Sequence, residues 1–77
     1  MDGADMDGLI PEIFTCPLTL DAFDDPVVAR DGHTYSRAAI ELHFTLRQTS
    51  PLTNERLEST QLLPNHTLRN AIEEWRL

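Results

Sequence analysis

Seventy-seven residues bound this chain to at most one domain, and six basic against thirteen acidic side chains leave it at −7 near neutral pH. That charge excludes phosphate recognition through a basic face, and no stretch is apolar and long enough to span a membrane. The one cysteine, Cys16, excludes an internal disulfide and suits a reducing compartment, and all six basic residues are arginine, with no lysine.

The acidic opening, Met1 to Gly8, lacks a signal-peptide core and reads as a disordered tail or the cut end of a longer protein, with the folded domain over residues 9–77. From Ile10 to Phe23 the chain is apolar, broken by proline and without a clean period, which predicts an ordered loop with Ile13 and Phe23 in the core. Pro26 to Ala29, Asp31-Gly32 and His33 to Tyr35 spell a strand, a tight turn and a second strand. Ser36 is placed to cap a helix reaching Leu46 or Arg47, with Ile40 and Phe44 on its apolar stripe and Ala39, His43 and Leu46 beside them. A second loop runs from Ser50 to Glu58, and Leu62-Leu63 read as a short extended stretch. Pro64-Asn65 opens a second helix whose Leu68, Ile72 and Trp75 face one way. No internal repeat is read in the chain.

Three chemistries deserve weighing. The outline of loop, hairpin, helix and loop is that of a zinc-bound RING domain, yet Cys16, His33, His43 and His66 are scattered and far short of the eight ligands two zinc sites need. Cys16 lies between Thr15 and Pro17 in an apolar stretch, the setting of a small buried hydrophobe rather than an activated nucleophile. Asp24-Asp25 precede a proline and Glu73-Glu74 sit on a polar helix face, so turn and solvated-face roles account for both pairs. The apolar loops are different. Leu18 and Pro51 stand in segments where exposure is expected, and two such loops suggest one composite docking surface.

Taken in order, Ile10-Pro11, Cys16-Pro17-Leu18, Asp25-Pro26-Val27, Gly32 to Arg37, Ile40, Pro51-Leu52-Thr53, Leu63-Pro64-Asn65, Leu68, Ile72 and Trp75 resemble the U-box, the zinc-free relative of the RING domain found in ubiquitin ligases. The resemblance covers about Ile10 to Trp75. It implies a small α+β RING-like fold, with two ordered loops around a β-hairpin and a central helix, plus a C-terminal helix, and neither zinc nor any other cofactor. It implies a polar network in place of metal, with Asp21, Asp25, Asp31, Thr34, Tyr35, Arg37, Glu41, Thr53 and Asn65 as its members.

The same resemblance implies a function. A U-box binds a ubiquitin-conjugating enzyme loaded with ubiquitin and promotes transfer from the thioester to a substrate lysine, acting by positioning and without a covalent intermediate of its own. Carried over, the contacts to the conjugating enzyme are Pro17, Leu18, Leu20, His43, Pro51 and Leu52, and no catalytic residue is expected beyond a ubiquitin-clamping role at Asn54. Leu20 stands where relatives often carry an aromatic ring, His43 where many carry tryptophan, and Asn54 where many carry a basic residue. The alternative is a U-box-shaped interaction module without ligase activity. Substrate binding is expected from other domains or adaptors, with no nucleic-acid or membrane partner, an intracellular location in cytoplasm or nucleus, and a homodimer through Trp75 and Leu77 left open.

Overall fold

The computed structural model describes residues 9–77, so the tail expected over residues 1–8 lies outside the described residues. Strand β1 (Pro26–Val28) pairs antiparallel with β2 (Thr34–Ser36), and on its other side with β3 (Leu63–Pro64), giving the order β2-β1-β3. Helix α1 (Arg37–Leu46) follows β2 directly, and α2 (His66–Arg76) follows β3. The result is a small α+β domain in which the β1–β2 hairpin stands at the centre.

The hairpin forms where Asp31-Gly32 predicts it. Gly32 has φ of 83°, a conformation that costs a residue without Cβ nothing, and the Asp31 carboxylate accepts the His33 N–H at 2.9 Å, closing an Asx turn. Pairing sets Val27 on β1 opposite Tyr35 on β2, and both are fully buried. These two join Cys16, Phe23, Ala29, Ile40 and Ile72 in the core, and Phe14, Phe44, Leu62 and Leu68 pack around them.

Several sequence expectations are corrected here. Ile13 is 72% exposed. A 3-10 turn over Glu12–Phe14 sends Phe14 inward against Trp75, ring centroids 5.4 Å apart, and its neighbour Ile13 outward. Leu46 is likewise outside the stripe of α1, being 79% exposed. Ser36 does occupy the N-cap position of α1 but makes no side-chain cap; its hydroxyl accepts the Asp24 N–H at 2.9 Å instead, and the first helical N–H goes to the Asp25 carbonyl. Pro64 belongs to β3, and Asn65 is the cap of α2.

So small a core needs help from polar contacts, and three groups of them tie the elements together. Asn65 accepts the Leu68 N–H at 3.1 Å, donates its amide to Thr34 Oγ1 at 3.1 Å and gives its backbone N–H to the Pro26 carbonyl, so one residue caps α2 and straps it to both hairpin strands. Arg37 donates to Asp25 at 2.7 Å and lies 3.7 Å from Glu41 one helical turn on, fastening the start of α1 to the segment before β1. The third group centres on Asp31. Its Oδ2 accepts both the Tyr35 hydroxyl and the Ser50 hydroxyl at 2.7 Å. Burial by itself raises the Asp31 carboxyl, but the Ser50 and Tyr35 hydroxyls, the His33 N–H and the nearby His33 ring outweigh it and hold the group below its ordinary value. Burial first, and donation to Asp31 second, push the Tyr35 phenol well above its ordinary range, so it remains a donor.

Asn65→Ala removes the cap and the strap together and is expected to cost about 2 kcal/mol, seen as a melting temperature about 8–16 °C lower. Asn65→Asp keeps the cap oxygen and lets the Thr34 hydroxyl donate, so its loss should be under about half of that. A carboxyl depressed by folding stabilises above its unfolded value and loses that contribution as pH falls through its native value. The wild-type domain should therefore be more stable than Asp31→Asn at neutral pH, and the gap should narrow as pH drops below about 4, measured by denaturant melts across pH. A gap independent of pH would remove Asp31 from this role.

Candidate functional site: two matched turns beside a helix

The two apolar loops are copies of one turn. Thr15-Cys16-Pro17-Leu18-Thr19-Leu20-Asp21-Ala22 corresponds residue for residue to Thr49-Ser50-Pro51-Leu52-Thr53-Asn54-Glu55-Arg56. This overturns the reading that the chain holds no internal repeat. The backbone bonds coincide. Cys16 N–H donates to the Asp21 carbonyl and Ser50 N–H to the Glu55 carbonyl, both at 2.8 Å. Leu20 N–H returns to the Cys16 carbonyl and Asn54 N–H to the Ser50 carbonyl, again both at 2.8 Å. An isolated bridge, Thr15 to Ala22 or Thr49 to Arg56, closes the base of each turn. Below it, Phe23 N–H meets the Phe14 carbonyl and Leu57 N–H the Gln48 carbonyl, each at 2.9 Å.

Side chains complete the match. Cys16 and Ser50 are 0% and 1% exposed, and each accepts backbone N–H groups of its own turn. Leu18 N–H points at Cys16 Sγ at 3.4 Å; Leu52 and Thr53 N–H point at Ser50 Oγ at 3.2 and 3.1 Å. Thr19 and Thr53 each accept the N–H two residues on, from Asp21 and Glu55. Both buried acceptors are then fastened to the hairpin. Ser36 N–H, at the end of β2, donates to Cys16 Sγ at 3.4 Å, and Ser50 Oγ donates to Asp31 at the hairpin turn. Burial raises the Cys16 thiol, but the N–H groups of Ser36, Leu18 and Thr19 and the Ser36 hydroxyl together bring it below its ordinary value. With no exposed surface, that sulfur is an internal acceptor out of a substrate's reach.

With the proline-to-leucine tips held by their own backbone, the apolar side chains there stand in solvent. Pro17 is exposed, Leu18 and Leu20 are 36% and 74% exposed, Leu52 is 50% exposed, and Pro51 is half-buried. His43, half-buried on α1, reaches the second turn: its Nε2 lies 2.8 Å from the Thr49 carbonyl and 3.3 Å from Thr49 Oγ1. A carbonyl only accepts, so Nε2 carries the proton. That bond ties the second turn to α1. Asn54 is exposed, with φ of 68°.

The residues expected in a polar network fall into separate groups. Asp31 and Tyr35 meet, Thr34 meets Asn65, and Asp25, Arg37 and Glu41 form a chain. Thr53 acts within its own turn, and Asp21 engages through its backbone N–H and carbonyl. Sequence reasoning missed Ser50, Cys16 as an acceptor, Ser36, and Gln48, whose amide donates to the Leu57 carbonyl at 2.8 Å. The matching octapeptides were the signal that points to the first two.

Clefts of about 400, 270 and 310 Å³ open beside the start of α1, between α2 and Asp24–Pro26, and beside Phe44, and none is lined by Leu18, Leu20, His43 or Pro51. Among the described residues no three of His, Cys, Asp or Glu converge as metal ligands. The exposed turn tips form an open surface suited to a protein partner.

The U-box domain profile matches residues 10–77. The chain is 52% identical over 66 residues to U-box domain-containing protein 35 of Arabidopsis thaliana, covering 86% of this chain and 8% of that relative. It is 48% identical over 66 residues to the WD repeat, SAM and U-box domain-containing protein 1 of Danio rerio, covering 84% and 14%. It is 47% identical over 66 residues to U-box domain-containing protein 70 of Oryza sativa subsp. japonica, covering 84% and 8%. The chain thus spans only a small part of the length of these relatives. A profile matched over nearly the whole chain, on a small α+β fold with paired turns around a hairpin, places this protein in the U-box family, whose members are generally ubiquitin ligases.

Proposed function

We propose that this domain binds a ubiquitin-conjugating enzyme carrying ubiquitin as a thioester and promotes transfer of that ubiquitin to a lysine amine. The observation that carries the proposal is the pair of matched turns, which hold Leu18, Leu20 and Leu52 in solvent beside Pro51 and His43 on a U-box scaffold. Exposed apolar groups on rigid backbone lose little entropy on docking. In the reaction the acceptor nitrogen bonds to the thioester carbonyl carbon, the C–S bond breaks, the conjugating enzyme's cysteine leaves as thiolate, and the amine's excess proton passes to solvent. The domain adds no nucleophile; its contribution is to restrain the loaded enzyme in a reactive arrangement. The ubiquitin-clamping role falls in this reading to the amide of Asn54, which is exposed in the second turn.

One observation favours a second reading. Asn54 carries no charge, and a neutral hydrogen bond clamps less strongly than a charge-assisted one. A U-box that docks conjugating enzymes without accelerating transfer is the form that reading takes. Other domains supply the substrate in either case.

Mixing the domain with activating enzyme, ATP, ubiquitin and a panel of conjugating enzymes, then following discharge onto free lysine, decides between them. Acceleration is expected, with Leu18→Ala and Pro51→Ala each reducing it about tenfold at a nearly unchanged melting temperature. Binding without acceleration would select the second reading. Because the chain holds no lysine, self-modification in the same mixture should stay low and map, by mass spectrometry, to the N-terminal amine. Heavy modification mapped inside residues 9–77 would contradict this expectation, unless it fell on hydroxyl or thiol side chains.

A further inference from the structure

All six basic side chains of this chain are arginine, although lysine is among the commonest residues of soluble domains. Geometry accounts for one of them. The Arg37 guanidinium meets two carboxylates at once, Asp25 through Nε at 2.7 Å and Glu41 through a terminal nitrogen at 3.7 Å, a task for a planar fork rather than for the single point charge of an ammonium. Arg30, Arg47, Arg56, Arg69 and Arg76 are exposed, and at an exposed position lysine supplies the same charge.

Two of the exposed arginines adjoin the docking face. Arg47 closes α1, its backbone N–H bonded to the His43 carbonyl at 2.9 Å. Arg56 is the bridge partner of Thr49, whose carbonyl accepts from the His43 ring at 2.8 Å. Both therefore stand beside the contact that joins α1 to the second turn. Arg69 and Arg76 line the cleft between α2 and Asp24–Pro26, which none of the docking residues enters.

The two kinds of basic side chain differ in nucleophilicity. A lysine amine that has lost its proton can attack the thioester carbonyl carbon. The C–N bond forms, the C–S bond breaks, the conjugating enzyme's thiolate leaves, and the amine's excess proton passes to solvent. A guanidinium keeps its proton up to about pH 12 and spreads its charge over three nitrogens, so it offers no such electron pair. An amine on a domain already bound to the loaded enzyme would meet the thioester at an effective concentration on the order of millimolar, ahead of a substrate that must first be recruited.

We propose, resting on the functional reading above, that Arg47 and Arg56 keep this domain from becoming its own acceptor. They set positive charge beside the docking face without setting an amine there, and the ubiquitin is left for a separate substrate.

The test compares Arg47→Lys and Arg56→Lys with Arg69→Lys and with Arg56→Gln, which removes the charge and adds no amine. Each is incubated with activating enzyme, ATP, ubiquitin and the panel of conjugating enzymes, once without an acceptor and once with free lysine. Self-modification of Arg47→Lys and Arg56→Lys should rise about tenfold over wild type, with mass spectrometry placing the isopeptide at the substituted position. Arg69→Lys should gain less than either, and Arg56→Gln should stay at the wild-type level. Discharge onto free lysine and the melting temperature should be unchanged in all four. Equal modification of Arg69→Lys would remove the role of position and overturn the proposal. So would slower discharge in both Arg56 variants, because the guanidinium would then serve the transfer itself. If the wild type accelerates no discharge, the functional reading fails and this assignment with it; if the wild type does and Arg47→Lys and Arg56→Lys stay unmodified, only this assignment fails.

Discussion

The two turns present their tips from two buried side-chain acceptors. Cys16 Sγ and Ser50 Oγ sit at the base of the two turns, receive N–H groups from the tips above them, and are themselves bonded to the hairpin below. A turn tip whose N–H groups all point at solvent would be mobile. Here the tip amides point inward to an acceptor that has nowhere else to go, and an unmet buried acceptor or donor is costly. The proline and leucine side chains are turned outward as a result.

The two acceptors are solved differently. Sulfur is a weak acceptor at 3.4 Å, and besides its own turn's amide it takes the amide of a neighbouring strand. A serine hydroxyl is both acceptor and donor, so the second turn donates a hydrogen bond to Asp31, which also accepts from the Tyr35 hydroxyl. The hairpin thereby acts as one post to which both turns are fastened, one at the end of β2 and one at its turn. With no disulfide available and a core of seven buried hydrophobic residues, such fully satisfied polar chains specify the arrangement that packing alone would leave loose.

The docking side chains follow from this scaffold in different ways. Leu18, Leu52 and Pro17 are exposed and Pro51 is half-buried because their neighbours' amides are held. His43 is bound to the second turn by donation to Thr49, so α1 and that turn move together. Leu20 is exposed with φ of 62°.

Much of the local structure was legible in the chain. Asp31-Gly32 between β-branched runs dictates the hairpin, the spacing of Ile40 with Phe44 and of Leu68 with Ile72 dictates the two helices, and Asn65 caps the second through a short side chain that reaches its own backbone. The loop prolines and leucines were legible as candidates for exposure. Hidden from a linear reading were contacts whose partners are far apart in the chain. Ser36 looks like a cap but its hydroxyl is claimed by Asp24, Ile13 looks like core but a 3-10 turn faces it outward, and Ser50 looks like an ordinary loop residue but completes the Asp31 site. The equivalence of Cys16 and Ser50 was signalled by the matching octapeptides, whereas the partners each atom accepts from were not. Local propensity and spacing therefore determined which elements exist, since those depend on neighbours in sequence. Which polar atoms meet, and hence which apolar side chains are left outside to meet a partner, was decided only when the hairpin brought the two turns to one post, because hydrogen bonding there is set by distance in space.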